Sequence, residues 1–192
     1  MGQEVQHGKM HEQYDLALKA AGYPADKIEK LTGRALKLIQ RSTSKSFQLA
    51  LTVAAEHYTA TMANYLLESD VIDKADPSYA WLWKVNAIEE VEHRCVSFDV
   101  YDQVGSYKER MIAYFLTSLA LMPVFVITTL IYISKDKTVT LINPSEWQSW
   151  LKVMGSLYRS IGPELIKFID PSYHPAEMKI SSNYAKIKSE VF

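Results

Sequence analysis

Residues 46–68, SFQLALTVAAEHYTATMANYLLE, decide the fold class. Leu49, Val53, Glu56, Ala60, Ala63 and Leu67 recur there at steps of three and four, which is the spacing of one helical face. No Gly or Pro interrupts the run, and no stretch of the chain alternates with period two long enough to make a strand. Glu56 is the one charge on that apolar stripe. A lone carboxylate facing a core is costly unless it is neutralised, paired or bound to a metal ion.

Outward from this helix, the breakers mark the rest. A helix from residue 2 to about 21 stops at Gly22, with Pro24 beyond, and a second runs from Ala25 to about Gln40. After residue 68 an aspartate-rich turn leads to Ser78, which would cap a helix reaching Val104. Ser106 opens a fifth, Ser145 a sixth that ends before Pro171, and residues 170–192 read as an irregular tail. The expectation is one helical domain over 1–192, all-α. No internal repeat of fixed period is present.

Composition narrows the function classes. The 192 residues are 48% hydrophobic and 22% charged, ordinary for a folded protein. Lys plus Arg is 21 and Asp plus Glu is 22, so no basic excess exists for a phosphate backbone, and nucleic acid is not an expected partner. The lone Cys95 excludes an intrachain disulfide and a cysteine zinc cage. The opening residues lack the basic-then-apolar order of a signal peptide. Residues 111–134 carry no charge and are fenced by Lys108-Glu109-Arg110 and Lys135-Asp136-Lys137. That length suffices to cross a bilayer, and equally suits a helix buried on all sides. The expected location is cytoplasmic, or membrane-associated at the cytoplasmic face.

The titratable residues follow a pattern. Glu4-x-x-His7 and Glu90-x-x-His93 each put a carboxylate and an imidazole one turn apart on a helix. Trp83, Asn86, Glu90, His93 and Ser97 share one stripe; Glu4, His7, His11, Tyr14 and Leu18 share another. No Lys or Arg lies centrally on these stripes, so a purely structural network would be anionic. Mixed carboxylate and imidazole without thiolate suits two divalent ions, iron first and manganese second, in a helical bundle. The ligand scheme for such bundles is one Glu from each of two helices and Glu-x-x-His from each of two others. Glu4, His7, Glu56, Glu90 and His93 supply that set without its first member. The expectation is therefore a fragment lacking an upstream Glu-bearing helix. His11 and Glu89 are further candidates, as ligands or as partners of ligands. His57 is expected to support the fold or hydrogen-bond to a ligand.

Gly2-Gln3-Glu4-x-x-His7-x-x-x-His11-x-x-Tyr14, then Ala55-Glu56-His57-Tyr58-Thr59-Ala60, then Glu89-Glu90-Val91-Glu92-His93 running into Phe98-Asp99-Val100-Tyr101, resemble the bacterial predicted metal-dependent hydrolase family. Pro171-Ser172-Tyr173-His174-Pro175 looks like that family's closing segment. The resemblance implies a ferritin-like bundle with an additional long apolar helix, and a dinuclear centre acting on a small, hydrophobic substrate. The ligand pattern is also similar to ferritin-like di-iron oxygenases, in which another His precedes the second Glu-x-x-His by one turn. The family usually has Trp-His there; this sequence has Val85-Asn86, an amide in place of an imidazole. Three readings follow: a metal-dependent hydrolase, a di-iron oxygenase activating O2, and a non-catalytic membrane-associated helical protein with a decayed metal site.

Overall fold

The computed structural model describes residues 2–136 and 144–192, with side chains at all of these except positions 2–7, 10, 78, 122 and 146. The described residues are helical throughout, with no strand among them. In chain order the helices are α1 (Gly2–Ala20), α2 (Ala25–Ser42), α3 (Lys45–Glu68), α4 (Pro77–His93), α5 (Val96–Val104), α6 (Tyr107–Lys135), α7 (Pro144–Lys167) and α8 (Tyr184–Val191). The all-α expectation holds. Contacts group the chain into two compact units: residues 1–44 with 118–151, and residues 45–117 with 152–192.

In the first unit, α1 ends where Gly22 takes φ +90°, a left-handed conformation that glycine adopts without the clash a Cβ would cause. α2 then packs on α1, and Ala25 is its one buried residue.

In the second unit, α3 is central and packs on α4 and α5, while α8 closes on α4. Its core has three connected parts. Ala50, Val53, Ala54, Phe98, Tyr101, Ala113, Tyr114, Phe168 and Tyr173 form one. Ala60, Ala63, Leu67, Ala87, Ile88, Val91 and Met178 form the second. Leu157, Ile161 and Leu165 of α7 form the third, against Tyr58, Met62 and Tyr65. The small residues on α3 and α4 let the two helices approach closely, and Ile88 and Val91 fill the remaining space.

Two expectations about elements are corrected. The helix expected to run from Ser78 to Val104 is two helices, broken at Arg94 and Cys95. Arg94 folds back there, its Nη1 donating to the Val91 carbonyl at 2.6 Å and its Nε to the Pro175 carbonyl at 3.2 Å. That satisfies a carbonyl at the end of α4 and ties the break to the tail. The tail is not irregular throughout. His174 caps a 3-10 turn at Pro175–Glu177, its Nδ1 accepting from the Ala176 N–H at 3.2 Å, and α8 follows.

At Gly105 the chain passes directly over Tyr101. A Cβ built there would lie 2.1 Å from the ring, so the tight approach requires glycine. Tyr101 Oη donates to the Ser106 carbonyl at 2.9 Å and accepts from the Ser106 N–H at 3.2 Å, fixing the α5–α6 corner.

Candidate functional site

Glu56 lies midway along α3, with Val53 and Ala60 buried to either side on its stripe and the carboxylate itself half-buried. Ser97, at the start of α5 and 7% exposed, donates its hydroxyl to Glu56 Oε2. The charges that act on Glu56 are those of Glu90 and His93, one turn apart near the end of α4. Burial pushes the Glu56 carboxyl above its ordinary pKa and Glu90 pushes the same way; the Ser97 hydrogen bonds and His93 oppose them. Within the second unit, Glu90 and His93 are thus near enough for their charges to act on Glu56.

Asn86 and Glu90 are half-buried on the same face of α4, one turn apart. Glu89 is only 5% exposed, deeper than Glu90. Glu92 points away, to Lys188 and to the Tyr184 hydroxyl of α8 at 2.7 Å, which holds its carboxyl below the ordinary range against the effect of burial. Glu4 and His7 lie on α1 in the first unit, and their side chains fall outside the described residues. His11 lines a cleft of about 360 Å3 between α1 and α2, with Glu12, Asp15, Asp26 and Glu29 around it.

Two carboxylates and an imidazole, with no Lys or Arg among the charges acting on Glu56, are a donor chemistry that suits a divalent ion. Among the described residues, no three of His, Cys, Asp and Glu group in a way that could hold a metal ion.

The His57 ring lies deep in the second unit, 3% exposed, while Glu56 is half-buried. It stacks on Phe168 with centroids 4.6 Å apart, and its Nδ1 lies 3.2 Å from Tyr173 Oη. Nε2 has no partner at hydrogen-bonding geometry. Burial pulls the His57 pKa down to about 4, although the Leu165 and Glu164 carbonyls favour its charged form. Tyr173 also lies 3.5 Å from Glu164 Oε1, and burial beside that carboxylate pushes its phenol well up.

The larger cleft, about 470 Å3, opens on this side of α3 rather than beside Glu56. Thr61, Asn64 and Glu68 of α3, Glu164 of α7, and Lys179 and Ser182 of the tail line it. Sequence reasoning passed over Glu164 and Tyr173. The segment Pro171–Pro175 was the only signal for the latter, and Glu164 carried none.

The aromatics divide. Phe98 is core at 3% exposure, whereas Trp81 is 49% exposed. Cys95 is half-buried at the α4–α5 break, and burial raises its thiol pKa. His174 Nε2 lies 2.9 Å from Asp99 Oδ1, so this histidine serves the tail.

The family model described as predicted metal-dependent hydrolase matches residues 1–179, and the chain belongs to that family. No curated protein and no solved structure matches it.

Proposed function

We propose that this chain is a metal-dependent hydrolase whose centre is built on Glu56, Glu90 and His93, in a bundle of ferritin-like type. The observation that carries this reading is that the charges of Glu90 and His93 on α4 act on the half-buried Glu56 of α3, with Ser97 holding one oxygen of Glu56. In the sequence reading Glu4 and His7 join the ligand set, which still lacks its first carboxylate, and the full set would hold two divalent ions, with iron favoured over manganese. A divalent pair supplies Lewis acidity and a hydroxide source at neutral pH. The chain's own residues do the rest. Ser97 holds Glu56 Oε2, and Asn86 places an amide one turn before Glu90 on the same face of α4. The substrate in this reading is small and hydrophobic.

Elemental analysis of the purified chain tests it, beside Glu90→Gln and Glu4→Gln. Iron or manganese retained by the wild type and lost from Glu90→Gln supports the centre on α3 and α4. A drop from two ions to one in Glu4→Gln supports the dinuclear set. No specific metal on the wild type overturns the reading. Oxygen uptake with ferrous iron, absent for a hydrolase, would move the assignment to the di-iron oxygenase alternative.

A membrane role is favoured by a separate observation. α6 has mean hydropathy 2.1 over its most apolar 18 residues, of which 6% are buried, so it is not a helix enclosed on all sides. Ala113, Tyr114 and Thr117 do pack in the core, but Leu119, Val124 and Ile127 are 73%, 52% and 55% exposed. We read residues 118–134 as the part that enters a bilayer. At about 1.5 Å per residue they span roughly 26 Å, close to the hydrocarbon thickness of a thin membrane. If metal binding fails while this insertion holds, the non-catalytic membrane-associated reading stands.

A further inference from the structure

α2 carries two patterns that neither the metal centre nor α6 uses. Lys27, Lys30, Arg34, Lys37 and Arg41 recur at i, i+3, i+7, i+10 and i+14, which gathers them into one stripe along the helix. Ile28, Leu31, Ala35, Leu38 and Ile39 form an apolar face that borders this stripe. In a helix of a packed bundle that face would be covered. Here Leu31 is 69% exposed, Leu38 67% and neighbouring Leu36 53%, and only Ala25 is buried. Asp26 and Glu29 are the only acids on α2, and Lys30 pairs with Asp26 at 3.7 Å.

The position of α2 adds a second observation. Tyr23, two residues before α2 begins, packs its ring on Tyr132 of α6 with centroids 5.2 Å apart. Tyr132 stands near the end of the apolar stretch, just before Lys135. If residues 118–134 enter a bilayer, this tyrosine pair lies at headgroup level, where amphipathic aromatic rings are enriched. α2 therefore starts at the membrane surface.

We propose that α2 lies in the plane of the interface of a bilayer containing anionic lipid, its apolar face among the upper acyl chains and its basic stripe against the headgroups. A helix with one apolar face and a row of lysines and arginines cannot run through the hydrocarbon without burying those charges. Lying flat, it removes exposed leucine from water and sets five cations beside anionic headgroups. A second copy of the chain could cover the leucines but would bring a second basic stripe with them, like charge against like. The inference draws on the bilayer reading of α6 and is tested separately from it.

The full chain, with Cys95→Ser as background, carries an environment-sensitive NBD label at Leu38→Cys, at Arg34→Cys or at Val124→Cys. Each form is reconstituted with vesicles of phosphatidylcholine alone or of phosphatidylcholine with phosphatidylglycerol. The label at 38 should shift to the blue and brighten several-fold in the anionic vesicles, with a much smaller change in neutral ones. The label at 34 should stay in a more aqueous environment. Substituting Lys27→Gln, Lys30→Gln and Lys37→Gln together should remove the difference between the two lipids at position 38. No blue shift at 38 in anionic vesicles, with helix content unchanged, overturns the proposal. So does an equal shift in both lipids, or a shift without lipid that grows with protein concentration. The label at 124 reports α6 independently, so lipid burial there without lipid burial at 38 leaves the α6 reading intact and ends this one.

Discussion

Glu89 and Glu90 are adjacent, yet one is sealed in and the other half-open. Spacing alone put Glu90 with His93 and Asn86 on one face of α4. It could not rank Glu89, because burial depends on neighbours that helical spacing does not specify. Ser97 follows the same logic: its place on the stripe was legible, but its bond to Glu56 depended on the break at Arg94 and Cys95. Removing that bond with Ser97→Ala should weaken metal affinity by about tenfold, as loss of a hydrogen bond to a metal ligand commonly does. Isothermal titration of the metal-free protein would measure it, and Ser97→Thr should recover most of the loss. His57 predicts a pH dependence. Its pKa is about 4 folded against 6.5 as the reference value, so the unfolded chain binds the proton more readily. The stability tied to the neutral ring is complete above pH 6.5 and is lost as pH falls toward 4, by about 3 kcal/mol in all. Urea midpoints between pH 7 and pH 4.5 should fall less steeply in His57→Gln than in the wild type. Equal slopes would show that this histidine does not set the acid limb.

At the scale of elements, the α5–α6 corner turns on Gly105. Gly105→Ala would drive a methyl into the Tyr101 ring and should cost about 2 kcal/mol, seen as a lower thermal midpoint. Arg110 follows on the first turns of α6. By spacing it belongs to the charged fence Lys108-Glu109-Arg110 beside the apolar stretch. The structure buries it to 5% exposure among Phe98, Tyr107 and Phe168, with ring centroids 5.2–5.4 Å from its guanidinium. Its Nη2 donates to the Asp170 carbonyl at 2.8 Å, beyond the end of α7. Arg110→Ala should therefore destabilise the second unit by about 3 kcal/mol, through lost stacking as much as lost charge. Chemical denaturation followed by tyrosine fluorescence would register it. The tail is held by polar contacts from α3: Glu68 Oε2 accepts from Ser181 Oγ at 2.5 Å and from the Ser182 N–H at 3.1 Å. The Asn64 side chain meets the Ser181 N–H and the Lys179 carbonyl. Glu68→Ala should expose the segment before α8 to limited proteolysis while cleavage elsewhere stays unchanged. An unaltered digest would mean that the apolar contacts of Met178 and Ile180 suffice.

Over the whole molecule, the sequence by itself determined that the protein is helical and where most helices begin and end. Gly22, Pro24 and the aspartate-rich turn after Glu68 break helices through backbone geometry, which acts locally. The alignment of Glu56 with an apolar stripe, and of Glu90 with His93, is equally local, since it follows from 3.6 residues per turn. The uncharged run 111–134 and the family resemblance were also legible, and the family match over residues 1–179 agrees with the latter. Tertiary structure alone decided the rest. It broke the fourth helix at Arg94 and Cys95, where no Gly or Pro stands, because a side chain and the returning tail supplied the hydrogen bonds. It made the His57 face the deeper side of α3 by laying Phe168 and Tyr173, more than a hundred residues away, against the ring. It left the leucines of α2 and most of 118–134 uncovered, where the sequence of 111–134 suited a bilayer and a buried helix equally. Burial is a property of neighbours, and neighbours from remote parts of the chain leave no periodic trace in the residues they cover.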